Sequence, residues 1–258
     1  MAQTVAKVQL KPETLQAFEA YIGDAEAEME QPSQGKARSS WSEASTGRTE
    51  QLLAGSILAQ FWPEEGPVKV DHGLIHDWIG AVWIDGATVE QTVRLVQDYN
   101  NHKNIYKPEV IDSKLLSHRG GNFKIYMRLL KKKIITVVLD TYHDVHYSTL
   151  NSTHCLCRSY TTRILEVEKA GGPNETIMPP DIGYGFLWRL YSYWSFQQKE
   201  SGVMVECRAI SLSRNVPLGL GWMIEPIIQK LPRESLIKTL EDTRQTLTRT
   251  VGQGSKSP

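Results

Sequence analysis

Two stretches of the chain concentrate side chains able to bind a metal or move a proton. TYHDVHY (141–147) places His143, Asp144 and His146 within four residues, and VDHGLIHDW (70–78) places His72 and His76 beside Asp71 and Asp77. A metal centre needs several such groups within about 2.0–2.6 Å of one point, so the backbone that carries them decides. Side chains at i and i+3 share a helical face but point to opposite faces of a strand. The Val-, Thr- and Tyr-rich surroundings, 134–147, read as a strand. That sends His143 one way and Asp144 and His146 the other, with the latter two about 7 Å apart along the strand. His72 and His76 would share a helical face as H-x-x-x-H, but on a strand they stand about 13 Å apart, and the glutamate of the H-E-x-x-H zinc motif is missing. The reading assigns no metal site, no cofactor and no catalytic residue. His143 remains as one polar group in an apolar wall; a register shifted by one residue passes that place to Asp144 and His146.

Other chemistries find less support. Cys155 and Cys157 lie two apart on an expected strand, too constrained to bond each other, and Cys207 makes an odd third. None sits in a recognisable nucleophile turn, so all three read as small buried residues. Gly183-Tyr184-Gly185 and Gly219-Leu220-Gly221 do not sit between a strand and a helix in the manner of a phosphate-binding loop. The 258 residues carry 29 basic and 29 acidic side chains. There is no global positive field, and nucleic acid is not an expected partner. Lys131 to Lys133 read as a solvated hairpin tip. No apolar run approaches the roughly 18 residues of a spanning helix, so no integral membrane segment is expected, although transient membrane contact is compatible with the sequence. The opening MAQTVAKVQL lacks a signal-peptide core. The default compartment is cytoplasmic; a leader replaced by Met would leave the same trace, so a periplasmic or secreted location stays open, as does the oligomeric state.

The elements that must position these residues follow from periodicity. Leu15, Phe18, Ile22, Ala25 and Met29 recur at helical steps, and Pro12 suits a helix first turn. Residues 31–48, rich in Ser, Gly, Gln and Lys, read as a linker, and QLLAGSILAQFW as a strand or short extended segment. Residues 68–84 read as one long strand bulged at Gly73 or Gly80. Thr88 then opens a helix through Tyr99, followed by a short turn NHKNIY. From 110 to 214 the pattern is an antiparallel meander, broken at Gly120-Gly121, the lysine turn, Gly171-Gly172-Pro173 and Glu200-Ser201-Gly202. A long helical region closes the chain: Leu220, Met223, Ile224, Ile227, Ile228 and Leu231 share one face, Pro226 and Pro232 kink or divide it, and Leu236, Leu240 and Leu247 extend the stripe.

This order, together with WRLYSYWSFQQKESGVMVECRAISLSRNVPLGLGWMIEPIIQKLPRES (188–235), resembles bacterial members of the START-like, or SRPBCC, superfamily, which includes the birch-pollen-allergen-like and polyketide-cyclase-like proteins. The resemblance spans about residues 65–248 and implies an α+β helix-grip fold. In that fold a curved antiparallel sheet of about six or seven strands wraps a long C-terminal helix around an apolar cavity. The expected organisation is an N-terminal helix plus flexible linker (1–64), the helix-grip domain (65–249) and a disordered tail (250–258).

Strand alternation then names the cavity wall. It comprises Phe123, Ile125 and Met127; Val137, Leu139, Thr141 and His143; Leu190, Ser192, Trp194 and Phe196; and Val205 and Cys207, with Met223 and Ile227 from the helix. Glu206 and Arg208 fall on the opposite face, as a surface pair. Such a cavity implies binding of a hydrophobic small molecule, a lipid, isoprenoid or polyketide-like compound, by a carrier or sensor. Two alternatives stand beside it. One is a cyclase- or hydratase-type enzyme using cavity His and Tyr groups for proton transfer. The other is an interaction module docking through Leu15, Phe18 and Ile22.

Overall fold

The computed structural model describes residues 6–30, 40–62, 66–132, 136–215 and 230–254. Among them, one large antiparallel sheet organises the molecule. Its path runs β2 (Ile57–Phe61), β4 (Gly73–Asp85), β12 (Gly202–Arg214), β11 (Arg189–Lys199), β8 (His154–Glu168), β7 (Thr136–Asn151), β6 (Asn122–Lys132) and β5 (Val110–Arg119). The short strands β3 (Val68–Val70) and β9 (Thr176–Ile177) pair with β4 and β8 and bring the sheet to ten strands, more than the expected six or seven. A separate two-stranded ribbon joins β1 (Val8–Gln9) to β10 (Ile182–Gly183).

One face of the sheet grips the last helix, α5 (Leu231–Gly254), giving the expected helix-grip arrangement. Leu236, Leu240 and Leu247 pack with Trp78, Val82, Phe196 and Val205 in the largest core cluster. Gly80 is where the helix comes closest: a Cβ there would stand 2.9 Å from Leu58 O and 3.1 Å from methyls of both Leu236 and Leu240. Pro232 occupies the first turn of α5, where its missing N–H is no loss, and the helix continues to Gly254, through residues 250–254 of the expected tail. Pro226 and the other residues of 216–229, including Met223 and Ile227, lie outside the described residues.

The same gripping face carries α3 (Val89–Val96), a single 3₁₀ turn at Tyr99–Asn101 and α4 (His102–Ile105). Thr88 starts α3 with a complete capping box: its side chain accepts from Gln91 N while the Gln91 side chain accepts from Thr88 N. Such a cap stabilises a helix by about 1 kcal/mol, which fixes where the chain leaves β4 and re-enters over the sheet.

The opposite face is covered by the N-terminal segment. Along α1 (Pro12–Glu30), Phe18, Ile22 and Ala25 are buried against Ile75, Ile210 and Leu212. The apolar stripe proposed as a docking surface is therefore already packed, which removes the interaction-module reading. A second helix, α2 (Thr46–Leu53), begins inside the expected linker and takes Gln51 to Leu53 from the stretch read as extended. Leu52 and Trp41 cover Ile79, Ala81 and Trp83, and β2, hydrogen-bonded along β4, joins this N-terminal region to the main sheet.

Residues 68–84 form a hairpin rather than one bulged strand. The chain turns at Asp71-His72, with His72 at a φ of 58°, and β3 folds back on β4. Glu206 and Arg208 do face away from α5, but they are buried and paired elsewhere. Arg208 donates to Asp77 (Nη2 to Oδ2, 2.7 Å) and to Glu28 (3.1 Å), while Glu206 accepts from Ser42 N at 2.6 Å. No described helix is long and apolar enough to cross a membrane.

Candidate functional site

Between the gripping face and α5 lies a cavity of about 310 Å³. Its walls come largely from alternate residues of six strands, with Val110 added from the start of β5. β6 gives Ile125, Met127 and Leu129; β7 gives Val137, Leu139, His143, Val145 and Tyr147; β8 gives Cys157 and Ser159. Leu190, Ser192, Trp194 and Phe196 come from β11, Cys207, Ala209, Ser211 and Ser213 from β12, and His76 from β4. Val96, Tyr99, His102 and Tyr106 close one side, Phe186 and Leu187 another, and α5 contributes Leu236, Thr239 and Asp242 among others.

The residues named from strand alternation thus separate into three groups. Ile125, Met127, Val137, Leu139, His143, Leu190, Ser192, Trp194, Phe196 and Cys207 stand together around the cavity. Phe123, Thr141 and Val205 share that face but are filled over. Phe123 packs between Tyr99 and Tyr147, Val205 belongs to the core under α5, and Thr141 lies beneath His143. Met223 and Ile227 fall outside the described residues. Sequence reasoning missed His76, Tyr99, His102, Tyr106, Tyr147, Ser159, Ser211 and Ser213. His76 was legible as the alternation partner of Trp78, and Ser211 and Ser213 as the continuation of Cys207 and Ala209. Tyr99, His102 and Tyr106 have the i, i+3, i+7 spacing of a helical face, hidden by reading the segment as a turn.

Most of the uncharged polar groups of the interior are tied down by hydrogen bonds. His143 Nε2 lies 3.0 Å from Thr141 Oγ1, whose own proton goes to Met127 O at 3.0 Å. The threonine oxygen must therefore accept, Nε2 carries the ring proton, and Nδ1 accepts from Ser159 Oγ at 3.3 Å. His102 points Nε2 at Val96 O, 3.0 Å away, and lies between the rings of Tyr99 and Tyr106. Burial lowers the pKa of His76, His102 and His143 to about 4 in each case, and for His143 the neighbouring His102 adds to the effect. Tyr99 and Tyr147 bond hydroxyl to hydroxyl at 2.8 Å, and burial pushes both up from their ordinary value. Burial likewise raises the Cys157 thiol to about 12 and pushes the Cys207 thiol well above its ordinary value, so neither is a thiolate nucleophile near neutral pH.

The charged groups among the lining residues are paired. Lys131, read as part of a solvated tip, is half-buried against Glu109, and Lys238 bonds Asp242 Oδ1 at 2.5 Å. The other titratable groups of TYHDVHY that suggested a metal site point away from the cavity: Asp144 pairs with Lys124 at 3.2 Å, and His146 Nδ1 lies 2.8 Å from Asn122 Oδ1. Among the described residues no cluster of His, Cys, Asp or Glu is arranged to hold a metal ion.

Comparison with known proteins gives no matching family model and no matching curated protein. Similar solved structures include a STAR-related lipid transfer protein from Xanthomonas axonopodis (16% identity, 71% of this chain and 98% of that one, TM-score 0.48). The Zhui aromatase/cyclase from a Streptomyces species (8% identity, 69% and 96%, TM-score 0.49) and human STARD10 (10% identity, 99% and 92%, TM-score 0.44) are also similar.

Proposed function

We propose that the protein binds a small hydrophobic molecule between the sheet and α5, as a carrier or sensor. The observation that carries this reading is the cavity itself: about 310 Å³, walled mainly by apolar side chains, with its histidines neutral and its charged groups paired. Burying a ligand's apolar surface there is favourable by about 25 cal/mol per Å², and no charge has to be left uncompensated. Lipid, isoprenoid and polyketide-like compounds all have the required character.

A second reading, acid–base catalysis on such a molecule, rests on the Ser159–His143–Thr141 chain facing the same space. It is the weaker one. A base with a pKa near 4 holds little driving force for taking a proton at neutral pH, and the partners of His143 are hydroxyls with no carboxylate to stabilise an imidazolium.

Native mass spectrometry against a panel of lipids, isoprenoids and polyphenols tests the proposal. One ligand per chain is expected, recovered chemically unchanged, and Trp194→Ala should weaken uptake severalfold by removing an indole from the wall. Apo protein across the whole panel would count against binding, and recovery of a transformed ligand would favour catalysis.

A further inference from the structure

A second pocket, of about 210 Å³, opens on the outer side of the sheet, where the start of α1 meets the end of β12 and the β3–β4 turn. Val8, Lys11, His72, Trp188, Arg214 and Asn215 are among its lining residues, and among the described residues no aspartate or glutamate lines it. Arg214 continues the alternation of Arg208, Ile210 and Leu212, so it points to the outer face. Four other arginines of the sheet meet a carboxylate: Arg128 meets Asp140, Arg158 Glu30, Arg189 Asp181 and Arg208 Asp77. Arg214 meets none within ion-pair distance among the described residues, and its Nη1 donates instead to two backbone carbonyls, Ala6 O at 2.8 Å and Tyr184 O at 3.2 Å. Its stem is packed against Gly185, where a Cβ would stand 2.8 Å from Arg214 Cβ and 3.0 Å from its Cδ. Burial lowers the Arg214 pKa from its ordinary value, the direction of a cation desolvated without an ion partner. Glu166 offsets part of this from beyond ion-pair distance, its oxygens engaged by the N–H groups of Tyr184, Gly185 and Phe186. Lys11 is exposed and likewise meets no carboxylate among the described residues. At the rim His72 stands 4.0 Å from Glu13, too far for a hydrogen bond.

We infer that this pocket binds a small organic anion, a carboxylate or phosphate ester, with its charged group between Arg214 and Lys11 and its apolar body against Trp188 and Val8. The guanidinium is held by its stem and by two carbonyls before any ligand arrives, so little order is lost on binding. With Nη1 committed, Nε and Nη2 remain as the edge that takes an anion in two parallel bonds. The charge of the lining excludes the other classes. A metal cation would meet two cations and no carboxylate. A neutral molecule would leave both charges unanswered, and an inorganic ion would leave the apolar wall of Val8 and Trp188 uncovered. Leu10 and Trp188 belong to the cluster packed under α1, so the site stands on the outer face and does not depend on what the inner cavity holds.

Benzoate, phenyl phosphate, neutral benzamide and inorganic phosphate, titrated into the full chain by calorimetry at low ionic strength, test this site. Benzoate and phenyl phosphate are expected to bind about tenfold or more tightly than benzamide, the ratio of hydrogen bonds to a charged group. Either order of the two supports the inference and assigns the head group. Phenyl phosphate should also exceed inorganic phosphate severalfold through burial of its ring. Arg214→Met should bring benzoate down to the level of benzamide, and Lys11→Met, at an exposed position, should weaken both organic anions about two- to fivefold. Should Arg214→Met fail to give the wild-type circular dichroism spectrum, Lys11→Met carries the test alone. Equal affinities of benzoate, phenyl phosphate and benzamide in the wild-type chain would overturn the site, as would anion binding that neither substitution weakens. Inorganic phosphate bound as tightly as phenyl phosphate would overturn the organic class and leave free phosphate as the occupant.

Discussion

His143 shows how a strand decides what a dense cluster of titratable groups can do. The alternation of β7 was legible in the sequence and separates His143 from Asp144 and His146, which pair with Lys124 and Asn122 on the outside. What the sequence did not reveal is that His143 has company. His102 comes from α4, 41 residues away, and His76 from the first long strand, so their meeting depends on topology rather than on local spacing. All three histidines are held near pKa 4 by burial. The unfolded chain takes up these protons as pH falls below about 6.5 while the folded chain refuses them until about 4. Their contribution to stability is thus complete above about pH 6.5 and is lost toward pH 4. Asp77 and Glu166, raised by desolvation, act in the opposite sense above the ordinary carboxylate range, so the informative quantity is a difference. Removing one histidine should flatten the fall in unfolding free energy of wild type between pH 6.5 and 4.5 by up to about 1.4 kcal/mol per pH unit. His102→Phe, which keeps a ring between Tyr99 and Tyr106, is the variant to compare by urea titration at several pH values. Parallel curves would show that His102 is not buried neutral.

At the scale of elements, the meander from β5 to β12 was legible because each strand alternates cleanly and each turn carries Gly or a polar cluster. The N-terminal third was read less well, for a physical reason: its apolar residues serve the outer face of the sheet. The stripe Phe18, Ile22 and Ala25 looks unpartnered until Ile75, Ile210 and Leu212 are recognised as its counterpart. These three belong to strands whose other face fills the core or cavity, and a strand buried on both faces loses the polar alternation that marks an edge of the fold. Gly80 was read as a bulge site, whereas it is where the sheet admits α5. In Gly80→Ala the new methyl would stand 2.9 Å from Leu58 O and 3.1 Å from two leucine methyls, so the helix or β2 must shift. A loss of about 1–3 kcal/mol in urea unfolding is expected. Gly23→Ala, within α1 and with nothing inside 4 Å of the added Cβ, should instead be neutral or stabilising by up to about 1 kcal/mol. Equal effects of the two would contradict close packing of α5 on β4.

For the whole molecule, the two faces of one sheet divide the work. The outer face is sealed by α1 and α2 and locked by the Asp77–Arg208–Glu28 group, which Tyr21 completes by donating to Asp77 Oδ2 at 2.9 Å. Among the described residues, the inner face leaves a cavity of about 310 Å³ beside α5. The proposed binding role fits this division, because the packing of the outer face does not depend on what sits against the inner one. On the proposed reading, the ligand occupies the space between the sheet and α5. Photo-crosslinking the full chain with a diazirine-bearing long-chain alcohol, followed by peptide mapping, locates the occupant directly. Labels are expected on the inward residues of β6, β7 and β11 and on α5 around Leu236 and Thr239, and excess unlabelled alcohol should suppress them. Labelling confined to exposed apolar positions such as Leu116 and Leu150, unaffected by competitor, would contradict it.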